Sequence, residues 1–259
     1  VAIVDLTALR RNITSFGAQD TKVLDRSVFG LGCAEVDSIF HDGLQRSALH
    51  EVFSEESGDS GAATGFVIAL ALRASPDHSP ILWVEEDFTG KEQGFPYAPG
   101  LNNLGLPPDR LIIVRCASPQ DVLKAASDSL GVQGTGAVII APWSNPKCLD
   151  LTASRKLLLT AQRTNVPAFL LRLGAMPLEN AAVTRWLIQS APSQSAGANA
   201  PGHPAFQVSL IRNRQGKTGQ WTLQWESENH VFTRTESVSG SLVSSPSYRS
   251  PQTRKSAAR

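Results

Sequence analysis

Apolar residues recur along this chain at two spacings, and their alternation predicts an α/β domain. Leu6, Leu9, Ile13 and Phe16 fall at helical spacing and predict a short amphipathic helix over Leu6 to Phe16. Leu31, Val36, Ile39 and Phe40 predict a second helix within Val28 to Leu44, stopped near Gly43. Short, wholly apolar runs follow at Leu49 to Phe53, Ile81 to Val84, Leu111 to Val114, Ala137 to Ala141 and Ala168 to Leu173. Runs without polar alternation read as strands buried on both faces. Helical patterns separate them at Gly61 to Ala74, at Ser118 to Gly131, and from a cap at Asp150 or Thr152 through Arg163. Ser118 and Pro119 supply an N-cap and a proline at the first helical position, whereas Asn165 and Pro167 end the last helix. Strands and helices in this order predict a mostly parallel sheet flanked by helices.

Beyond Met176 the pattern changes to strands alone. Val183 to Ser190 comes first, and Phe206 to Arg214 and Gln220 to Trp225 then flank the turn Gln215-Gly216-Lys217-Thr218-Gly219 as a hairpin. His230 to Thr233 adds an edge strand. The predicted organisation is an N-terminal helical segment over 1–48, a core over 49–233 with antiparallel strands over 183–233 at its C-terminal edge, and a disordered tail over 234–259. That tail is basic, with Arg234, Arg249, Arg254, Lys255 and Arg259 against Glu236.

Composition narrows the function classes. With 259 residues, 18% of them charged, and a formal net charge of +1, a charge-driven polyanion binder is not expected. Cys33, Cys116 and Cys148 are widely spaced beside apolar residues, which suits reduced thiols rather than a disulfide framework or a metal site. Neither a membrane-spanning apolar run nor a signal segment is evident, so a cytoplasmic protein is expected.

The richest stretch is Glu51 to Arg73, where a strand passes through Ser54, Ser57, Gly58, Ser60 and Gly61 into an apolar helix. A helix start after a small-residue loop offers unpaired N–H groups and partial positive charge to a phosphate. A phosphate loop also needs G-x-x-x-x-G-K-[ST], its Lys on the β and γ phosphates and its hydroxyl on Mg²⁺. With Gly61 as the second glycine, Ala62 and Ala63 hold those two positions. With Gly58 as the first, Ala63 and Thr64 stand where Gly and Lys belong, and no lysine occurs between Lys22 and Lys91. Ser54, Gly58, Gly61 and Thr64 therefore mark a degenerate phosphate loop, with no cofactor expected.

GLGCAEVD, DGL and LHEV leading into this corner resemble the entry to a RecA-type core. More specifically, ALHEVFSEESGDSGAATGF, LGLPPDRLIIVR, LDLTASRKLLLTAQ and AAVTRWLIQSAPS resemble the ImuA family, over the span Leu6 to Thr233. The resemblance implies a RecA-like fold, distantly related to SulA, and membership of an inducible mutagenesis system. Glu86 in ILWVEEDF matches the position of the RecA glutamate, but the lysine has no match, and Ala141 and Pro142 stand where a Walker-B aspartate belongs. The chain is short and poor in bases over 141–150 and 172–181, where RecA places its DNA-binding loops, and Asp42 and Ser47 replace common glycines. For the ImuA family the implied role is a non-enzymatic adaptor in damage-induced translesion synthesis. Its implied partners are an inactive Y-family-like polymerase subunit, an error-prone replicative-type polymerase and RecA, with indirect DNA contact. Two alternatives stay open: an atypical ATPase using Mg²⁺ and a cation from Lys91, Arg73 or a neighbouring subunit, and a single-stranded DNA binder using the tail with Arg212 and Arg214.

Other candidates weigh less. Gly58-Asp59-Ser60-Gly61 echoes a serine-protease nucleophile motif without partner His or Asp motifs. Glu85, Glu86 and Asp87 sit at a strand end where ligands bind, and read as surface acids or a relic of an ancestral ATPase. His41, His50, His78, His203 and His230 show no ligand spacing, and His50 reads as a structural, hydrogen-bonded residue. Trp83, Trp143, Trp186, Trp221 and Trp225 offer stacking surfaces beside Arg185, Arg212 and Arg214. Trp221 and Trp225 share one strand face, which marks core or interface, so Trp221, Trp225, Arg212 and Arg214 form the candidate partner surface.

Overall fold

The computed structural model describes residues 28–40, 43–54, 56–193 and 202–235. The helix expected over Leu6 to Phe16 and the tail beyond residue 235 lie outside these residues. The region expected to form one helix between Val28 and Leu44 does not. It holds a short strand β1 (Val28–Phe29), a one-turn helix α1 (Ala34–Asp37), a 3₁₀ turn over Ser38–Phe40 and a strand β2 (Leu44–Gln45) antiparallel to β1. The Asp37 carboxylate accepts the backbone N–H groups of Leu31 (2.7 Å) and Gly32 (2.9 Å), which folds the chain back before a long helix can propagate. Phe29, Leu31, Val36, Phe40 and Leu44 are buried in the main apolar cluster, so this stretch is part of the core packing.

Among the described residues the main sheet has nine strands, in the order β11 (Val231–Arg234), β10 (Gly219–Glu226), β9 (Ala205–Asn213), β8 (Thr184–Ser190), β3 (Leu49–Ser54), β7 (Ala168–Arg172), β6 (Ala137–Ala141), β4 (Ile81–Glu86) and β5 (Leu111–Cys116). Its parallel part comprises β3, β4, β5, β6, β7 and β8. Strands β9, β10 and β11 continue it antiparallel. The antiparallel section expected over 183–233 thus begins one strand later, because β8 runs parallel to β3. Arg234, assigned to the tail, closes β11 and pairs with Glu35.

Helix α2 (Ser60–Ala74) follows β3, and α3 (Asp87–Gln93) and α4 (Ala98–Asn103) follow β4. Helices α5 (Pro119–Leu130) and α6 (Leu151–Thr164) follow β5 and β6. The steps from β3 to β4 and β4 to β5 move toward one edge, whereas those from β5 to β6 and β6 to β7 move back. Right-handed crossovers then require the two sets of helices on opposite faces. Phe66 and Leu101 accordingly join one core cluster, and Val122 and Leu157 the other. The caps hold: Ser118 Oγ accepts the Asp121 N–H at 3.2 Å, Asp150 Oδ1 accepts the Ala153 N–H at 2.7 Å, and Asn165 ends α6 in the left-handed region at φ 54°. The outcome is an α/β fold with a large, mostly parallel sheet flanked by helices and an antiparallel C-terminal edge.

Candidate functional site

The corner at the end of β3 has the expected backbone, a buried strand passing through a tight turn into a helix. Ser54 is buried, Ser57–Asp59 form a 3₁₀ turn, and Ser60 Oγ–H donates to the Ser57 carbonyl at 2.8 Å. Neither Gly58 nor Gly61 has a positive φ, and an added Cβ at either would meet nothing within 4 Å. These glycines answer no close approach of backbone to backbone. Ala63 is fully buried in the apolar cluster and Ala62 packs against it, so the positions of Lys and Ser/Thr in the first register face protein interior. Thr64 lies within α2 and is half-buried.

An acid stands at the helix start instead. Asp59 Oδ1 accepts both the backbone N–H and the Oγ–H of Ser190, each at 2.8 Å, tying the start of α2 to the end of β8. The Ser190 N–H holds its carboxyl below the usual carboxylate range. Glu56 stands just before the 3₁₀ turn, so the described residues leading into α2 include two acids, Glu56 and Asp59. Arg73 lies at the opposite end of α2, roughly 20 Å along its axis, where its Nε–H donates to the Gly30 carbonyl at 2.7 Å.

The three acids after Trp83 separate. Glu85 is buried and its carboxylate receives the Trp83 Nε1–H at 3.0 Å and the Arg115 Nε–H at 3.1 Å. Burial pushes its pKa up, and the hydrogen bonds from Arg115 and Trp83 oppose that. Glu86 Oε2 accepts the Trp143 backbone N–H at 3.0 Å, bracing the chain that leaves β6. Asp87 begins α3. Glu86 thus serves as a tie between two strand ends, beside the aliphatic Ala141.

The candidate partner surface is divided by the sheet. Trp225 is fully buried, 4.8 Å from the Phe232 ring, stacked on His230 at 5.9 Å, and its Nε1–H donates to the Leu104 carbonyl at 2.9 Å. It is therefore core and not partner surface. Trp221 is half-buried against the same cluster. Strand β9 carries a bulge: Arg185 pairs with Arg212 while Trp186 pairs with Leu210, leaving Ile211 as the extra residue. The extra residue reverses the alternation, so Arg212 leaves the face of Leu210 and Trp225 for the opposite one. Arg212 Nη1–H donates to the Asn180 carbonyl at 3.0 Å, and Arg214 is exposed.

Two buried polar networks on β3 escape a reading of motifs. Glu51, fully buried, accepts the Arg172 Nη1–H at 3.2 Å and the Arg185 Nε–H at 2.7 Å. Arg172 also donates to the Ser144 carbonyl at 2.9 Å and to Asn145, and both guanidinium groups lie 5.6 Å from the Phe53 ring centre. On the other face His50 is fully buried between Gln45 and Thr184. The signal was present: a charged residue inside each of the apolar strands LHEVFS, AFLLR and TRWLIQS needs a buried partner.

No protein-family model matches this sequence. Protein ImuA from each of two strains of Caulobacter vibrioides is 30% identical over 218 residues, a match spanning 78% of this chain and 85% of the relative. That identity, held over most of both lengths, is why the chain belongs to the ImuA family.

Proposed function

We propose that this chain is a non-catalytic, RecA-like adaptor in damage-induced translesion synthesis. It links an inactive Y-family-like polymerase subunit to an error-prone replicative-type polymerase, with RecA as a further partner and DNA reached through those proteins. Family membership supports the setting. The observation that carries the non-catalytic reading is the corner at α2: a helix N-terminus with Ala62 and Ala63 at the positions of the phosphate-binding cation and the metal-binding hydroxyl, preceded by the acids Glu56 and Asp59. Phosphoryl transfer depends on charge neutralisation at the phosphates, and an acidic corner supplies the wrong sign. On this reading the protein needs neither nucleotide nor metal, and it works in the bacterial cytoplasm, at the nucleoid when active.

Calorimetric titration of the pure protein with ATP and Mg²⁺, at several protein concentrations, is expected to give no saturable heat, and a phosphate-release assay no turnover. Magnesium-dependent turnover abolished by Glu86→Gln would establish an ATPase and sink the non-catalytic reading. Binding that appears only at high protein concentration would instead point to a cation supplied by a neighbouring copy. The adaptor role is checked separately by immobilising each polymerase and measuring capture of this chain.

A further inference from the structure

We propose that the outer face of the β8–β9 pair, at Ile211, Arg212 and Arg214 with Met176 and Leu178 of the adjoining loop, docks an acidic, apolar-flanked peptide segment of a partner protein. The proposal rests on the adaptor reading and gives that adaptor its surface.

The bulge makes the surface. Because Ile211 is the extra residue of β9, it and Arg212 both stand opposite the Arg185 end of β8. Arg185 and Arg212 then face each other directly across the two strands, a like-charge pairing that costs stability unless an anion offsets it. Glu51 answers only part of that charge: one of its oxygens takes Arg172 and the other takes Arg185. Four arginines, at 172, 185, 212 and 214, thus gather around Glu51 and the exposed Glu179. Among the described residues neither Arg212 nor Arg214 forms an ion pair. Burial lowers the pKa of Arg212, the neighbouring charges of Arg214 and Arg185 add to that, and those of Glu51 and Glu179 oppose it.

The same arginines position apolar side chains at the rim. Arg185 Nη2–H donates to the Leu178 carbonyl and Arg212 Nη1–H to the Asn180 carbonyl, which clamps the loop after β7 onto this face. Met176 is 74% exposed, Leu178 55% and Ile211 43%. Arginine beside exposed apolar side chains, held on a rigid sheet, is the composition of a binding hot spot.

Charge decides the occupant. The chain's own segments outside the described residues do not complement the patch: residues 1–27 carry four bases against three acids, and residues 236–259 four against one. A second copy joined by a two-fold axis through this face would set arginine against arginine. A nucleic-acid strand would need cations free to follow its backbone and rings to stack on. Here Arg185 and Arg212 are committed to protein carbonyls, Glu179 lies nearby, and the exposed apolar neighbours are aliphatic. An acidic segment with flanking aliphatic or aromatic anchors fits both the charge and the rim.

The test measures binding of the full chain to each immobilised polymerase of the proposed assembly. It compares wild type, the double variant Ile211→Asp/Arg214→Glu, and Lys124→Glu on the exposed side of α5 as control, with thermal unfolding of all three. Wild type is expected to bind more weakly as salt rises, the double variant to lose about 30-fold in affinity, and the control to bind as wild type does. Hydrogen exchange of the wild-type complex is expected to show protection over 174–180 and 207–213, a readout independent of any variant's folding. Wild-type binding that survives the double variant, with protection elsewhere, overturns this surface and leaves the adaptor standing. No wild-type binding to either polymerase removes the adaptor reading and this surface with it. Capture of a 20-nucleotide oligothymidylate that is lost in the double variant would make the patch a nucleic-acid surface and overturn the proposal.

Discussion

Replacing Glu51 with leucine is expected to cost about 3–5 kcal/mol of folding stability, more than any other single change on this face of the sheet. Glu51 is fully buried, and its two oxygens hold one guanidinium each, Arg172 at 3.2 Å and Arg185 at 2.7 Å. Arg172 is 3% exposed and Arg185 11%. Burial pushes the pKa of Arg172 down and the Glu51 carboxylate pulls it back up, so removing the carboxylate leaves two like charges in the interior with their desolvation uncompensated. The triple variant Glu51→Leu/Arg172→Met/Arg185→Leu separates this from a packing effect, since replacing a whole buried ionic group by apolar residues is often near neutral. It is expected to regain most of the loss, short of the hydrogen bonds to the Ser144 and Leu178 carbonyls. Urea unfolding at neutral pH measures all three proteins. A single variant within about 1 kcal/mol of wild type would mean that Glu51 does not neutralise the pair.

Acidification is the second large effect, and it runs through His50. The Gln45 carbonyl can only accept, so the His50 Nε2 at 2.8 Å from it carries the proton, and Nδ1 accepts from the Thr184 hydroxyl at 2.7 Å. That hydroxyl in turn accepts the Trp186 Nε1–H at 2.9 Å. The ring is neutral, stacked on Phe169 at 5.5 Å, and burial lowers its pKa from 6.5 to about 4. The unfolded chain takes up a proton near pH 6.5 while the folded chain resists until about pH 4. Stability from this residue is therefore complete above the unfolded pKa and falls as pH drops through that window. The loss is roughly 2 kcal/mol by pH 5 and approaches 3 kcal/mol near pH 4. His50→Gln keeps a donor for Gln45 and an acceptor for Thr184 without a titrating ring. The difference between its stability–pH curve and that of wild type is expected to show this slope, and parallel curves would place the acid sensitivity elsewhere.

These two residues show where the amino-acid pattern is informative and where it stops. The strands of the parallel sheet were legible because apolar runs such as AVIIA and LIIV admit few other structures, and the caps at Ser118 and Asp150 because their chemistry is local. The helix expected between Val28 and Leu44 failed because Asp37 competes for backbone N–H groups that its apolar spacing does not reveal. Helices α3 and α4 were not expected, since Gly90, Gly94, Pro96 and Pro99 weaken any helical signal there.

By itself, the sequence determined the strand-and-helix order, the alanines at 62 and 63 where a phosphate loop carries Lys and Ser/Thr, and the resemblance that the relatives at 30% identity sustain. Each depends on which residue types are present and how they follow one another. Only the tertiary structure decided that Trp225 is core, that the bulge at Ile211 moves Arg212 to the opposite face, and that Glu51 reaches Arg172 and Arg185. Those outcomes depend on strand register and on contacts between residues 121 and 134 positions apart in the chain. Periodicity within a segment carries no information about which distant segment will lie beside it, and one inserted residue reverses every side chain that follows.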